Sequence, residues 1–360
     1  MDIEQKSSIE YKTSFEKPFS KEDLLLLLNL KNQPELKWLY STADRVRRKY
    51  MGDEIFLRGI IEFSNHCRKS CDYCGIRAPN SKVNRYRIPD EGIIDICMML
   101  EKQAITTVVL QSGEDLFYTK EKIGGIIKII KEKTNLAITL SVGERDEETY
   151  RYWKNCGMDR YLLRFETSNQ KIFKAIHPDD NFKERLNCIR VLKELGIQTG
   201  SGFMIGLPQT GLDDIANDIL LCRELDLDMI GIGPFIPHPD TPLYIDGFTF
   251  DLDFYTKVLA VLRMVNYNCH IPATTAFDAF KKEGRNLALQ RGANVFMPNV
   301  TPEKYRRDYL LYPGKPCVDE PGEKCIACSA IRITSLGRKI GKGKGHSLKK
   351  PGTYQGLSAF

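Results

Sequence analysis

Apolar residues in this chain form two alternating patterns: short continuous runs, and longer stretches with helical spacing. Runs of six to nine residues are typical of buried strands, and the stretches between them have one apolar face, as amphipathic helices do. The predicted strands are Phe56–Ser64, Thr106–Gln111, Ala137–Val142, Arg160–Glu166, Gln198–Gly206, Met229–Ile236, His270–Ala276 and Ala293–Pro298. The predicted helices between them lie near residues 90–102, 119–133, 146–156, 182–195, 211–225, 252–267 and 280–291.

Strands that alternate with helices predict a parallel sheet, because two parallel strands need a long crossover connection. Eight of them predict an α/β fold with a closed (β/α)8 TIM barrel over residues 51–300. An open doubly wound sheet is the alternative, since the number of strands does not establish closure. Residues 1–50, with predicted helices over 24–30 and 35–50, form an N-terminal helical extension, and residues 301–360 form a C-terminal extension.

Polar and glycine-rich residues follow the predicted strands at the end where a parallel barrel builds its active site. The first of these loops contains Cys67, Cys71 and Cys74, at the spacing C-x3-C-x2-C. Thiolates suit iron–sulfur centres and zinc. Structural zinc usually has four protein ligands, often as two separated pairs, so this loop favours a cluster. Three protein ligands leave one iron of a cubane open to hold a substrate or cofactor.

Charge and hydropathy exclude other classes of protein. The 360 residues include 53 Lys+Arg and 47 Asp+Glu, a net charge of 53 − 47 = +6, and 42% of them are apolar, which suffices for a full core. No run approaches the roughly 20 apolar residues of a membrane span, and the polar, acidic first residues do not resemble a signal peptide. The glycine-spaced basic run Arg338–His346 predicts a solvated tail, mobile towards its end, rather than a nucleic-acid site.

Cysteine usage indicates a reducing compartment. The chain has 11 cysteines, an odd number, and the absence of a secretory signal argues against disulfides, so we expect a cytoplasmic protein. Six of the cysteines form two groups, and the second group is Cys317, Cys325 and Cys328. The other five lie in apolar or helical contexts and are expected to be small buried residues.

The first cysteine loop, with Tyr73 just before its last cysteine, resembles the C-x3-C-x-aromatic-C signature of the radical S-adenosylmethionine (SAM) enzymes. This resemblance implies a 4Fe–4S cluster on the three thiolates, with SAM chelated to the open iron and reductively cleaved to a 5′-deoxyadenosyl radical. The turn Gln111–Asp115 occupies the place of the family's Gly-Gly-Glu-like turn, with Ser112 in place of the first glycine. The implied cofactor-binding residues are Tyr73, Gln111, Ser112, Gly113, Glu114, Thr139, Arg164, Glu166 and Arg185.

The chemistry of five of these residues suggests their roles. Gly113 would allow backbone carbonyls to approach the cofactor, and Glu114 would accept a hydrogen bond from its ammonium group. Arg164 or Arg185 would bind the cofactor carboxylate, because a guanidinium matches carboxylate geometry. Glu166 would contact the amino or ribose groups, and an internal Arg–Glu ion pair is the alternative.

Further segments, among them Tyr73–Arg77, Gly231–Leu243 and Ile271–Thr275, resemble the FeFe-hydrogenase maturases of the HydE family, close to biotin synthase and methylornithine synthase. This resemblance implies action on a sulfur-containing Fe(CO)2(CN)-cysteine precursor of the hydrogenase active site. The implied partners are that small organometallic substrate, other hydrogenase maturases and a reductant protein, without nucleic acid or membrane. The alternatives are an enzyme like methylornithine synthase or biotin synthase that acts on an organic substrate, and a non-catalytic metal-binding scaffold.

The same resemblance implies two further groups of residues. Cys317, Cys325 and Cys328 would carry an accessory cluster, 2Fe–2S or 4Fe–4S, and zinc remains an alternative because C-x2-C is a common zinc hook. The residues that would line the substrate cavity and its anion sites are Arg160, Met229, Thr274, Thr275, Met297, Tyr309 and Tyr312, with Thr139 beside them.

Overall fold

The computed structural model describes residues 1–349, and within them a strand lies at each of the eight predicted positions. The strands are β1 (Glu54–Leu57), β2 (Gly59–Ser64), β3 (Thr107–Ser112), β4 (Ala137–Ser141), β5 (Arg160–Leu162), β6 (Gln198–Ser201), β7 (Met204–Ile205), β8 (Met229–Ile230), β9 (Gly233–Pro234), β10 (Pro272–Ala273), β11 (Val295–Phe296) and β12 (Lys339–Ile340). The helices are α1 (Ile3–Ser14), α2 (Lys21–Leu28), α3 (Gln33–Met51), α4 (Asp90–Lys102), α5 (Lys120–Lys133), α6 (Glu147–Cys156), α7 (Gln170–Ile176), α8 (Phe182–Glu194), α9 (Leu212–Glu224), α10 (Leu252–Val265), α11 (Ala276–Phe280), α12 (Gly284–Gln290), α13 (Glu303–Arg306) and α14 (Gly322–Ser335).

Parallel pairing joins these strands into a ring. One sheet has the order β2-β3-β4-β5-β6-β8, and another has the order β10-β11-β1-β12. Met229 of β8 bridges to His270, just before β10, and the amide of Ile230 donates to the carbonyl oxygen of His270 at 2.8 Å. At the other junction β1 runs directly into β2, so the hydrogen bonds describe a barrel rather than the open sheet that was the alternative.

The first strand is not continuous, although the sequence predicts one strand over Phe56–Ser64. It breaks at Arg58, and β1 pairs with β11 and β12 while β2 pairs with β3. The amide of Arg58 still donates to the carbonyl oxygen of Phe296 at 3.0 Å. The break therefore lets one stretch of chain pair with the last strands and then with the second strand, which closes the ring.

Alternation along β3 and β4 separates the barrel interior from the helical layer. Val109 and Gln111 lie opposite Thr139 and Ser141, and all four line the central cavity. Their neighbours in the two strands are buried in the core cluster: Val108, Leu110, Ile138 and Leu140. Side chains alternate between the two faces of a strand, so one face of β3 and β4 lies towards the cavity and the other towards the helices.

The predicted N-terminal helices are present as α2 and α3, and a further helix, α1, precedes them. Each begins at a side-chain cap, Asp2, Ser20 and Asn32, which accepts a backbone amide of the first turn. α2 contacts α9 and α3 contacts α10, so this extension packs on the outside of the barrel. Within residues 1–349, no helix combines the length and apolarity needed to cross a membrane.

The expectation of a solvated basic tail at Arg338–His346 is wrong. β12 pairs in parallel with β1, and a side chain on Gly341 or Gly345 would collide with the Phe56 ring, at 2.6 Å and 2.8 Å. We call residues 338–349 the C-terminal strap. It docks through strand pairing, through glycines packed on Phe56, and through ion pairs of Arg338 with Asp44 and Lys349 with Asp226. Residues 350–360, the rest of the expected mobile tail, lie outside the described residues.

Candidate active site

A cavity of about 400 Å³ opens at the C-terminal ends of the barrel strands, a size suited to a small-molecule ligand. It brings together almost all the residues that the sequence predicts for the site. The predicted residues that line it are Cys67, Cys71, Tyr73, Cys74, Gln111, Ser112, Gly113, Glu114, Thr139, Arg164, Glu166, Arg185, Met229, Thr274, Thr275, Met297, Tyr309 and Tyr312. Arg160 and the second group of cysteines do not line it.

The first cysteine loop packs directly on the turn after β3. The Cys67 sulfur accepts hydrogen bonds from the amides of Glu114 at 3.3 Å and Lys69 at 3.4 Å. A Cβ on Gly113 would lie 2.3 Å from the carbonyl oxygen of His66. The glycine is therefore required for contact between the turn and the loop, which differs from the predicted role of approach to the cofactor.

Burial favours the neutral form of all three thiols. It raises the pKa of Cys67, raises that of Cys71 further, and raises that of Cys74 to about 12. A metal centre binds thiolates, so loading this loop must release protons.

Two residues that the sequence analysis missed, His177 and Asp180, contact the cysteine loop through their side chains. His177 Nδ1 lies 3.3 Å from the Cys71 sulfur and 3.0 Å from Asp180 Oδ2, and Nε2 lies 3.2 Å from the Tyr73 hydroxyl. The Lys69 ammonium also pairs with Asp180, which helps to hold the pKa of that buried carboxyl below its usual range. Both residues follow α7, a helix absent from the prediction, so no strand-end pattern pointed to them.

Glu114 is buried and already has protein partners. Its Oε1 accepts from Arg68 Nε at 2.6 Å, and its Oε2 accepts from the amide of Glu144 at 3.1 Å. Its predicted hydrogen bond to a cofactor ammonium would therefore use a remaining lone pair, and that role stays a prediction.

Arg164, which is partly exposed, and Glu166, which is buried, form an ion pair with unused hydrogen-bonding capacity. Arg164 Nη2 and Glu166 Oε2 lie 2.8 Å apart as an ion pair, but without hydrogen-bond geometry, so both atoms and Arg164 Nε lack a hydrogen-bond partner among the described residues. Glu166 also has a left-handed backbone, with φ of 66°. Buried polar atoms without partners are costly, so the pair is arranged for a polar ligand.

Arg185 differs from Arg164, since its donors already have protein acceptors. Its Nη1 donates to the carbonyl oxygen of Arg164 at 2.7 Å, and its Nη2 donates to Asp180 at 2.8 Å. Its Nε donates to Glu144 at 2.5 Å. Of the two predicted candidates, Arg164 is the one whose Nε and Nη2 lack a hydrogen-bond partner among the described residues, and its role at a carboxylate stays a prediction.

Deeper in the cavity, Thr139 Oγ1 is buried and has no hydrogen-bond partner within residues 1–349, and Gln111 Nε2 donates to the Tyr309 hydroxyl at 3.2 Å. Arg160 contradicts the prediction that it lines this cavity. It is buried at the start of β5, and its Nη2 donates to the carbonyl oxygen of Lys344 at 2.6 Å instead.

The second group of cysteines lies away from the cavity. Cys325 and Cys328 are on α14, three residues apart and therefore on one face, while Cys317 precedes the helix with φ of 60°. Cys325 is buried and Cys328 is exposed, and a hydrogen bond from Cys317 lowers the pKa of Cys325. A group at this position would lie near the surface.

Comparison with known proteins identifies the family. The model of the radical SAM superfamily matches residues 61–222. The [FeFe] hydrogenase maturase subunit HydE of Thermotoga maritima is 47% identical over 90% of this chain and 92% of the relative. The chain belongs to the radical SAM superfamily, in the HydE family. The 3-methylornithine synthase of Methanosarcina acetivorans is 31% identical over 77% of this chain and 78% of the relative.

A solved structure extends the likeness to the fold. The crystal structure of methylornithine synthase (PylB) superposes with a TM-score of 0.80 at 27% identity, and the match covers 92% of this chain and 97% of that one. The predictions of a radical SAM enzyme and of a TIM-barrel-like α/β fold are thereby confirmed. A radical SAM enzyme uses a 4Fe–4S cluster and SAM. The three thiols that line the cavity fit the cluster. The Arg164–Glu166 pair fits SAM, because some of its polar atoms have no hydrogen-bond partner among the described residues.

Proposed function

We propose that this radical SAM enzyme acts in the assembly of the FeFe-hydrogenase active site. The observation that carries the proposal is the 47% identity to the Thermotoga maritima HydE maturase over nearly the whole of both chains. The site described above supports it, because the thiols and the unused polar atoms face one enclosed cavity. We further propose a sulfur-containing Fe(CO)2(CN)-cysteine precursor as the substrate.

Different residues that line the cavity would hold the two cofactors. Cys67, Cys71 and Cys74 would bind the 4Fe–4S cluster, and Arg164 and Glu166 would bind the carboxylate and the amino or ribose groups of SAM. When bound, these groups supply a 5′-deoxyadenosyl radical by one-electron reductive cleavage. The protein orients the reacting atoms and excludes water, which protects a radical from side reactions.

The deeper half of the cavity would bind the substrate. Thr139, with its unpartnered hydroxyl, and the adjacent Thr274 and Thr275 offer hydroxyl donors to an anionic ligand. The other proposed substrate contacts are Met229, Met297, Tyr309 and Tyr312. Burial raises the pKa of both tyrosines, so each enters the reaction as a neutral hydroxyl donor.

The remaining proposals concern organisation and partners. We propose a barrel unit over residues 51–300 with extensions on either side, and an accessory cluster on Cys317, Cys325 and Cys328. The proposed partners are other hydrogenase maturases and a reductant protein. The proposed location is the cytoplasm, in keeping with the 11 free cysteines.

A second candidate is an enzyme like methylornithine synthase that acts on an organic substrate. The TM-score of 0.80 to PylB and the 31% identity to a 3-methylornithine synthase favour it. The two functions share the barrel and the cysteine loop. They differ in the substrate half of the cavity, so only an assay with substrate separates them.

The test starts from protein reconstituted anaerobically with iron and sulfide, then given SAM and dithionite. We expect 5′-deoxyadenosine from the wild type, and a loss in Cys74→Ala beyond the roughly 10- to 100-fold that outer-shell changes cost. Cys188→Ala, which removes a thiol outside both groups, is the matched control and should retain activity. Glu166→Lys should lose SAM affinity while it keeps its iron.

The second stage adds the wild type to an otherwise complete maturation mixture that lacks it. Restored hydrogenase activity supports the proposed function. Protein that cleaves SAM but does not restore activity supports the enzyme with an organic substrate. A colourless, zinc-loaded protein that releases no 5′-deoxyadenosine would support the non-catalytic scaffold.

A further inference from the structure

Two large apolar side chains lie exposed beside the cysteine loop. Leu116 is 61% exposed and Phe117 is 52% exposed, in the segment between the turn after β3 and α5. Of ten exposed large apolar side chains within residues 1–349, four form sequence-adjacent pairs, Leu116–Phe117 and Tyr244–Ile245. Adjacent exposed apolar residues with a polar rim are a mark of protein interaction sites.

Cations surround this apolar pair. The Arg87 guanidinium lies 4.5 Å from the centre of the Phe117 ring, and the Lys122 ammonium lies 5.1 Å from it. Arg68 reaches the same turn, because its amide donates to the carbonyl oxygen of Glu114 at 3.0 Å. We call Arg68, Arg87, Leu116, Phe117 and Lys122 the loop-side patch.

Buried acids leave the outer face of the patch positive. Arg68 pairs with Glu114, and their side chains are 49% and 4% exposed. Arg87 pairs with Asp115, and theirs are 34% and 3% exposed. In both pairs the cation is the outer member, so a partner in solvent meets the positive group first. Lys122 pairs with Asp90, and these two side chains are about equally exposed.

The segment that carries the cysteine loop is basic. Residues 66–88 contain six Lys and Arg and one Asp, a net charge of 6 − 1 = +5, and two of these cations, Arg68 and Arg87, belong to the patch. A surface with one sign of charge speeds association with a partner of the opposite sign, and that effect weakens with salt.

The patch also lies close to the thiol of Cys67. The amide of Glu114 donates to the Cys67 sulfur at 3.3 Å, and Phe117 follows Glu114 by three residues. Three residues of chain span at most about 11 Å, so a protein seated on Phe117 rests close to the proposed cluster.

We propose that the loop-side patch is the docking surface for an acidic one-electron carrier protein. This proposal rests on the proposed function, which requires one electron at the cysteine loop for each SAM cleaved. In the docked complex the carrier loses one electron and the site gains one, with no bond made or broken. Leu116 and Phe117 supply the apolar centre of the contact, and Arg68 and Arg87 supply the charge that orients the carrier.

The test compares two reductants on the same cluster-loaded protein. A reduced, acidic plant-type ferredoxin is the carrier probe, and dithionite is the small reductant that needs no docking surface. In the double variant Leu116→Glu/Phe117→Glu, we expect cluster reduction by ferredoxin to slow at least tenfold, and reduction by dithionite to stay at the wild-type rate. The wild-type rate with ferredoxin should fall steeply with added salt.

Two further variants separate charge at the patch from general damage. Ile3→Glu places the same acid at an exposed apolar position on α1, in the N-terminal extension, and should match the wild type with both reductants. Phe117→Tyr keeps the ring and should keep the ferredoxin rate. If the double variant binds less iron, Leu116→Glu alone replaces it, and a ferredoxin rate below the wild type supports the patch.

Binding supplies a readout that does not depend on turnover. Titration calorimetry with oxidised ferredoxin should give at least tenfold weaker binding to the double variant than to the wild type. Equal affinities, equal ferredoxin rates, or the same loss in Ile3→Glu would overturn the docking surface. Wild-type protein that cleaves no SAM with dithionite would overturn the proposed function instead, and the calorimetry would still decide the patch.

Discussion

Arg58 Nη2 donates a hydrogen bond of 3.1 Å to the backbone carbonyl oxygen of Gly345, 287 residues later in the chain. Arg58 is buried between β1 and β2, and within the described residues its Nε has no partner. Arg160 relies in the same way on the carbonyl oxygen of Lys344, at 2.6 Å. Two buried cations at the closed end of the barrel therefore use main-chain acceptors of the C-terminal strap, and burial lowers the pKa of each arginine.

Truncation after Gly337 should destabilise the barrel because it removes these acceptors. An uncompensated buried charge costs about 3–5 kcal/mol, so we expect a marked fall in the melting temperature. Truncation after Lys349 is the control, since it leaves every described contact of the strap. Equal melting temperatures for the two truncated proteins would show that the strap does not stabilise the barrel.

The strap also shows where sequence reasoning stops. The strands and the cysteine loop could be predicted because hydrophobic period and ligand spacing are local properties of the chain. The strap is held by carbonyl oxygens, by glycines packed on Phe56 and by ion pairs of Arg338 and Lys349, and a Lys–Gly composition does not show which distant residues these groups contact. Arg160 was predicted in the cavity by resemblance, but its guanidinium is bonded to the strap instead.

The contacts of His177 and Asp180 with the cysteine loop could not be predicted from the local sequence either. His177 and Asp180 reach Cys71 and Lys69 across more than 100 residues, through a turn between α7 and α8. Only the folded barrel places that turn under the loop. The sequence therefore predicted the residues that line the cavity better than residues such as His177 and Asp180, which position the cysteine loop.

Glu62 and Lys315 provide a second testable contact between the barrel and the C-terminal extension. Lys315 Nζ lies 2.6 Å and 2.7 Å from the two carboxylate oxygens, and both side chains are 5% exposed. Lys315→Met should lower the free energy of unfolding by about 3–5 kcal/mol, because it leaves a buried carboxylate unpaired. Melting curves of Lys315→Met and of Glu62→Gln/Lys315→Met measure the effect.

The double variant should recover much of that loss, since it also removes the charge on residue 62. The matched control is Arg151→Met at the exposed Arg151–Glu147 pair, where we expect about 1 kcal/mol or less. A double variant no more stable than Lys315→Met would show that packing, rather than charge, holds this contact.

Gly113→Ala should disturb the cysteine loop more than the barrel. A Cβ there would lie 2.3 Å from the carbonyl oxygen of His66 and 2.8 Å from Cys67 Cβ, so the loop must shift. Overpacking of this kind costs roughly 1–3 kcal/mol. We expect less iron bound per chain after reconstitution, measured by metal analysis alongside the melting temperature.

Gly125→Ala is the control for that change. Gly125 lies in α5 with no heavy atom within 4 Å of a Cβ, so alanine should stabilise the helix by about 0.5–1 kcal/mol. Iron content should match the wild type. Full iron binding by Gly113→Ala would mean that the turn and the loop can separate without loss of the site.

Asp218 should make the stability of the barrel depend on pH. It lies on α9 beneath the turn after Glu166, accepts the amide of Ser168 at 2.5 Å, and has one carboxylate oxygen without a partner within the described residues. Burial raises the pKa of this carboxyl to about 7. The folded protein therefore keeps a proton that the unfolded chain releases near pH 4, and stability falls as the pH rises from about 4 through 7.

Asp218→Asn removes that dependence, because an amide keeps the acceptor for Ser168 and adds a neutral donor in place of the charge. The free energy of unfolding of Asp218→Asn should exceed that of the wild type by a small amount at pH 5. The difference should be larger at pH 8, at most roughly 4 kcal/mol. Melting temperatures at the two pH values measure it, with Asp95→Asn on the exposed face of α4 as the control. The same difference from the wild type at both pH values would mean that Asp218 stays charged in the folded protein, stabilised by the Ser168 turn.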